Sequence, residues 1–94
     1  MVPFKKREFT VLADLGHEYL SVPYQDVIDA GLETRISRFS YRNKSHAFLE
    51  QDNDAPLFLE VLRDKCIEYT LKDKEVDNVL AHLQHLKPTV FRFS

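Results

Sequence analysis

The chain has 94 residues, of which 44% are hydrophobic, with a net charge of −2, two Gly, four Pro and one Cys. This length and apolar content predict one ordered domain over residues 1–94, with residues 1–7 expected to be flexible. A lone Cys66 excludes an internal disulfide, and no secretory signal or apolar run of about 20 residues is recognised, so we expect a soluble cytoplasmic protein that does not enter a membrane.

The first third of the chain predicts a hairpin followed by a short helix. Residues 9–13 and 19–22 are apolar or alternate with polar positions, as strands do, and Gly16 lies between them where a tight turn is needed. A proline precedes residues 24–30, which therefore favour a short helix. Gly31 is then its left-handed stop.

The middle of the chain predicts two strands and an amphipathic helix. Residues 36–41 and 46–50 are the expected strands, joined by the polar connection 42–45. The next helix is expected to be capped by Asn53 or Asp54. Its apolar positions recur at helical spacing and are Leu57, Phe58, Val61 and Leu62.

The last third predicts a strand, a helix and a short final strand. Residues 67–71 alternate as a half-buried strand does, Asp73 is the expected cap of a helix ending at Leu86, and residues 90–93 form the last strand. Strands and helices therefore alternate irregularly. This order predicts an α+β fold of two layers, with an antiparallel or mixed sheet and two to three helices on one face.

Three segments together resemble a known pattern: GHEYLSVP at 16–23, FSY at 39–41 and FLEQDND at 48–54. The pattern is similar to Gly-His-Gly-aromatic-Leu-x-Val-Pro, Ser-Tyr and Tyr-Leu-Glu-Glu-Asp-x-Asp in small uncharacterised proteins of bacteria, phages and plasmids. Glu18, Phe48 and Gln51 depart from it, and the resemblance covers about half of the chain. It implies a bacterial or mobile-element accessory protein, and it transfers no catalytic residue.

The sequence contains no recognisable catalytic apparatus. It lacks the nucleophile elbow, the Gly-rich phosphate loop and the dinucleotide fingerprint, and two glycines cannot build such loops. Cys66 follows a predicted helix end, where a half-buried thiol serves packing. We therefore expect a non-enzymatic protein without a cofactor.

Two groups of side chains bear on metal binding. Asp52 and Asp54 have the spacing that opens a calcium loop, but no Gly or third acidic ligand follows. Helix capping explains Asn53 and Asp54 without a metal. His82 and His85 lie three residues apart on the last predicted helix, where they could share one transition metal if other ligands converge. We treat these histidines as weak metal candidates.

Charged residues of one sign cluster along the chain, and they suggest two kinds of partner. An acidic stretch free of Lys and Arg precedes a basic stretch. The favoured hypothesis is contact with another protein, or with a second copy, through an exposed sheet edge or an acidic face that includes Asp14, Glu18, Asp26, Asp29 and Glu33. The alternative is nucleic-acid binding by Arg35, Arg38, Arg42 and Lys44.

Overall fold

One six-stranded mixed sheet organises the chain in a computed structural model that describes residues 6–37, 39–83 and 87–88. The strand order is β5-β1-β2-β4-β3-β6. The elements in chain order are β1 (Lys6–Ala13), β2 (Glu18–Pro23), α1 (Tyr24–Asp29), β3 (Tyr41–Arg42), β4 (His46–Glu50), α2 (Asp54–Asp64), β5 (Glu68–Glu75), α3 (Val79–Leu83) and β6 (Lys87–Pro88).

The strands are antiparallel except at one side of the sheet. β1 and β2 form the expected hairpin, β2 pairs with β4, and β4 pairs with β3. β5 returns parallel to β1 over eight residues, from Lys6↔Glu68 to Ala13↔Glu75. The chain between β1 and β5 passes through β2, α1, β3, β4 and α2, a connection long enough to bring the two strands parallel.

The main core lies between the sheet and the helices α1 and α2. Leu20, Val22 and Leu49 alternate along their strands, so they point to the same face of the sheet, where Val27 of α1 and Phe58 of α2 pack on them. Phe58 is fully buried and meets the ring of Phe9 edge to face at 5.5 Å between centroids. Two helices therefore cover one face, which confirms the predicted α+β class with a mixed sheet.

The opposite face of the sheet carries the third helix. Tyr19, the neighbour of Leu20, points to this second face and forms a smaller buried cluster with Val79 and Leu83 of α3. Tyr41 packs beside Tyr19 with ring centroids 6.0 Å apart. Apolar residues on both faces of β2 and β4 explain why helices cover the sheet from both sides.

The predicted strand 36–41 is wrong in its extent, because only Tyr41 and Arg42 of this region pair in the sheet as β3. The N–H of Ser37 donates to the carboxylate of Asp54 at 3.0 Å, and the hydroxyls of Ser37 and Ser40 donate to the same carboxylate. These contacts hold the chain in a loop instead of a ladder. Phe39 is 57% exposed.

The expected cap of α2 is also wrong. Asn53 occupies the N-cap position with helical backbone angles, and its side chain makes no capping hydrogen bond. Its amide donates instead to Oε1 of Glu50 at 2.8 Å. Asp54 is 3% exposed and accepts from the two serines, so it joins distant segments of the chain. The apolar stripe of the helix is placed as predicted, with Phe58 and Leu62 buried.

The last predicted helix begins later than expected, at Val79 instead of Asp73. The side-chain oxygen of Asn78 accepts from the N–H of Ala81 at 3.1 Å, so Asn78 is the cap. Residues 72–75 extend β5, because its parallel pairing with β1 continues to Glu75. The expected strand 90–93 lies outside the described residues.

The beginning of the described chain differs from expectation in one way. β1 includes Lys6 and Arg7, which belong to the segment 1–7 that was expected to be flexible. β1 also lies between β2 and β5, so the N-terminal strand is not an edge of the sheet. Among the helices that the structure describes, none has the length and apolar character required to span a bilayer.

Candidate functional site

The predicted acidic residue Asp14 is used inside the protein. Its Oδ1 accepts from the backbone N–H groups of Gly16 and His17 at 2.8 Å, and its Oδ2 accepts from the N–H of Val79 at 2.8 Å. The hydrogen bond from Val79, followed by that from Gly16 and then those from His17, lowers the pKa of Asp14 to about 2. The carboxylate therefore closes the hairpin turn and holds the start of α3 to it.

A second predicted acid, Asp26, pairs with Arg7 and does not face solvent freely. The guanidinium of Arg7 donates to both carboxylate oxygens, with the Nε contact at 3.1 Å, and the Asp26 side chain is 11% exposed. This pair joins α1 to the start of β1. Asp26 is therefore engaged by Arg7 and largely shielded from solvent.

The five predicted acids do not form one surface. Asp14 and Glu18 lie at the hairpin end of β2, whereas Asp26 and Asp29 belong to α1, which begins where β2 ends. The six residues of β2 separate the two groups by roughly 20 Å. Asp29 is exposed and accepts from the amide of Gln25 at 2.9 Å, and Glu33 is half-buried after α1. Contact of a partner with this acidic set stays a prediction.

The predicted basic residues lie around the β3–β4 connection. Lys44 and Arg35 are exposed. The guanidinium of Arg42 lies 3.6 Å from the ring centroid of Tyr24, and its Nε donates to the carbonyl of Asn43 at 3.3 Å. Arg42 is therefore partly committed to a cation–π contact, while Arg38 lies outside the described residues. Nucleic-acid binding by these residues stays a prediction.

Metal binding by His82 and His85 stays a prediction. Among the side chains that the structure describes, no three from His, Cys, Asp or Glu are grouped to hold a metal ion. His82 belongs to α3, and His85 lies outside the described residues. Glu50 and Asp54, near the calcium-like spacing, are occupied by the backbone of residues 52–53 and by Ser37 and Ser40.

Cys66 occupies an unexpected position. The residue is exposed, whereas the sequence predicted a half-buried packing role, and it has a positive φ of 59°. Its N–H donates to the carbonyl of Arg63 at 3.0 Å, and the N–H of Ile67 donates to Leu62 at 2.9 Å. Cys66 thus makes the left-handed turn between α2 and β5, a place that glycine more often takes.

The structure reveals a surface that the sequence did not predict, the outer side of β5, which we call the β5 edge (Glu68–Glu75). The strand is bonded to β1 along all eight residues and is the last strand on its side of the sheet. Every residue in it except Tyr69 is exposed. Its outer backbone groups have no strand partner among the described residues, which is the arrangement that accepts another strand.

An apolar groove lies between α2 and the strands β1, β2 and β5, with Leu71 at its β5 side, and we call it the edge groove. Leu71 is 45% exposed at its side, although leucine is usually buried. The apolar residues lining the groove are Val11, Leu20, Ala55, Pro56, Leu59 and Leu71. Glu18 and Arg63 also line it, so Glu18 is the predicted acid that the fold places at this surface.

The alternation of side chains gives the two faces of β5 different charges. Tyr69 packs on Phe9 at 6.5 Å between ring centroids, so Tyr69, Leu71 and the other odd positions face α2. The even positions face the opposite side, where the ammonium of Lys72 lies 3.7 Å from Glu8. The odd positions toward the end of β5 are acidic, Asp73 and Glu75, while the even ones are basic, Lys72 and Lys74.

Comparison with known proteins provides no relative for this chain. No protein-family model matches it, and no curated protein or solved structure matches it either.

Proposed function

We propose that this chain is a non-enzymatic binding protein that contacts another protein through the β5 edge and the edge groove. The observation that carries the proposal is an eight-residue edge strand, exposed along its length, whose one large exposed aliphatic side chain, Leu71, opens onto an apolar groove. The resemblance to small proteins of bacteria, phages and plasmids supports an accessory role, in which such contact inhibits or modulates a larger machine.

The backbone of the β5 edge supplies the affinity in this proposal. An extended segment of a partner adds as a further strand and satisfies the outward N–H and C=O groups of Glu68–Glu75. The edge groove supplies specificity, because an apolar side chain of the added strand reaches Leu71, Pro56 and Leu59. Tyr69 stiffens the strand by packing on Phe9, so the strand loses little conformational freedom when the partner binds.

The charges of the β5 edge define the chemistry of the partner segment. Lys72 and Lys74 on one face favour acidic side chains opposite them, and Asp73 and Glu75 on the other face favour basic ones. A matching segment therefore has an apolar residue near Leu71 and at least one acidic residue opposite a lysine of β5. Charges on an edge strand also discourage partners that do not match them, which gives selectivity to an otherwise general backbone contact.

The predicted acidic residues are less suited to carry the contact. Asp14 and Asp26 are engaged by backbone N–H groups and by Arg7, and a partner would have to displace those bonds. Glu18 lines the edge groove and is included in the proposed surface. Asp29 lies at the other end of β2, so it is outside this surface.

The chain offers a matched pair of substitutions that tests the proposal. Leu71 at the β5 edge and Leu15 at the tip of the β1–β2 hairpin are both exposed leucines, at 45% and 109% relative accessibility. We expect affinity capture from the native cell with the unchanged protein to recover one dominant binding protein. Leu71→Glu should lose it, and Leu15→Glu should keep it, with circular dichroism showing that both variants fold.

Three outcomes would contradict the proposal. Capture of nothing at physiological salt by the unchanged protein argues that no protein is bound. Equal recovery by Leu71→Glu and by the unchanged protein argues that the contact lies on another surface. Loss of the partner in Leu15→Glu but not in Leu71→Glu would move the site to the hairpin tip.

A further inference from the structure

We infer that the strand bound by the β5 edge is the β5 of a second copy of this chain, in an antiparallel register centred on Leu71. The inference depends on the proposed function, since it names the partner for the same surface. It follows from one register of Glu68–Glu75 in which the Glu68–Lys74 ion pair forms twice and no like charges lie directly opposite each other.

Symmetry limits the registers that two identical edges can adopt. Antiparallel edges meet about a twofold axis perpendicular to the sheet, so residues directly opposite each other lie on the same face of the joined sheet. Odd-numbered residues of β5 therefore lie opposite odd-numbered residues of the second copy, and even-numbered residues lie opposite even-numbered ones. The axis must then pass through one residue of β5, and the choice of that residue fixes every opposite pair.

The register centred on Leu71 places opposite charges together. Glu68 lies opposite Lys74 of the second copy, and Lys74 lies opposite its Glu68, so the same ion pair forms twice. Leu71 lies opposite its own copy on the face toward α2. Thr70 then lies opposite Lys72, and Tyr69 lies opposite Asp73. No two like charges therefore lie directly opposite each other.

The neighbouring registers are less favourable. Centring the axis on Lys72 places that lysine opposite the Lys72 of the second copy. Centring it on Asp73 places the two Asp73 residues opposite each other and Lys72 opposite Lys74. Like charges directly opposite each other destabilise a strand pair. Centring on Thr70 avoids this but pairs only Glu68–Lys72, five residues of each strand, against seven for the register on Leu71.

The edge grooves of the two copies lie side by side in this arrangement. Each Leu71 sits at the border of its own groove, so the paired leucines are shielded on the face of the sheet that carries α2. Each protomer thus buries part of the exposed aliphatic surface of the other. The joined sheet has no remaining edge at β5, and the twofold axis closes the assembly at two copies.

Charge reversal and mixing test both the dimer and its register. We expect sedimentation equilibrium to show a dimer for the unchanged protein, and Glu68→Lys or Lys74→Glu alone to raise its dissociation constant about ten-fold. An equal mixture of the two variants should restore association, because each contact between unlike chains again joins a lysine to a glutamate. The double variant Glu68→Lys with Lys74→Glu should restore it as well.

Two controls make the result of this experiment interpretable. Lys44→Glu makes the same charge reversal at an exposed position in the β3–β4 connection and should leave the dissociation constant unchanged. Glu68 lies opposite Lys6 of β1 within its own chain, so Glu68→Lys can loosen that end of the strand. Lys74 lies opposite Leu12, so Lys74→Glu alone keeps the test valid if Glu68→Lys unfolds.

The single thiol gives an independent measure of the register. Cys66 is exposed and lies just before β5, so a photocrosslinker attached to it should join the second copy near the end of its β5, around Val76. Joining near the partner's Cys66 would indicate parallel strands and overturn the inference.

The outcomes separate this inference from the proposed function. A monomer at all concentrations, together with a different captured protein that Leu71→Glu loses, overturns the second-copy partner and leaves the β5 edge as a binding surface. A dimer that neither charge reversal weakens overturns the register. A monomer that captures nothing contradicts both proposals.

Discussion

The carboxylate of Asp54 is bound by Ser37, seventeen residues earlier, through the backbone N–H at 3.0 Å and the hydroxyl at 2.6 Å. Ser40 donates to the same carboxylate, and the Ser40 hydroxyl accepts from the N–H of Glu50 at 2.8 Å. This buried network joins the loop before β3, the end of β4 and the start of α2. It also connects the Ser-Tyr and acidic segments of the recognised pattern.

Removal of the Asp54 carboxylate should therefore destabilise the fold as a whole. Asp54→Ala leaves the donors of Ser37 and Ser40 without an acceptor in a site where Asp54 is 3% exposed. We expect the free energy of unfolding to fall by about 3 kcal/mol, measured by urea denaturation. Asp52→Ala, at an exposed position two residues earlier, should change it by less than about 0.5 kcal/mol. Equal effects of the two changes would show that the serine contacts contribute nothing.

The low pKa of Asp14 makes the fold sensitive to acid. The pKa is about 2 in the folded protein and 3.8 for an ordinary Asp, so between these values the unfolded chain binds more protons. The contribution of Asp14 to stability is therefore complete above about pH 4 and is lost as the pH falls through about 2.

Asp14→Asn tests this dependence because it keeps the shape of the side chain without its charge. We expect the melting temperature of the unchanged protein to exceed that of the variant at neutral pH, and the difference to shrink as the pH falls from about 4 to about 2. Asp52→Asn should show no such convergence. A difference that is constant across this pH range would mean that the charge of Asp14 is not involved.

The elements with local signals are those that the sequence predicts well. β4 and the apolar stripe of α2 follow from alternation and helical spacing, and the end of α1 at Gly31 follows from a residue that tolerates a φ of 73°. Each of these features depends on residues a few positions apart. Contacts between distant segments do not alter them.

The parts that the sequence does not predict depend on distant partners. Residues 36–41 alternate like a strand, but Asp54 binds two of them from a later helix and holds a loop. Residues 72–75 read as the start of a helix until β1 is placed beside them. The exposure of the β5 edge likewise follows from strand order, and alternation alone gives no strand order.

The pair of Arg7 and Asp26 should be coupled more strongly than an exposed ion pair. Its side chains are 34% and 11% exposed and form several hydrogen bonds, whereas Lys72 and Glu8 are 70% and 58% exposed at 3.7 Å. A double-mutant cycle with alanine at both positions should give a coupling energy of about 1 kcal/mol for the first pair. The second pair should give about 0.3 kcal/mol or less, and the reverse order would contradict the role of the pair in joining α1 to β1.

The two glycines of the chain should respond differently to the same substitution. A Cβ atom would meet nothing within 4 Å at either Gly16 or Gly31, so crowding does not distinguish them. Gly31 has a φ of 73°, which costs any other residue about 1 kcal/mol or more, whereas Gly16 has no positive φ. Gly31→Ala should therefore lower the free energy of unfolding by about 1 kcal/mol in urea denaturation. Gly16→Ala should leave it unchanged or raise it slightly, because alanine restricts the unfolded chain and keeps the N–H that donates to Asp14. A loss at Gly16 as large as that at Gly31 would show that the hairpin turn, and not the end of α1, requires the freedom of glycine.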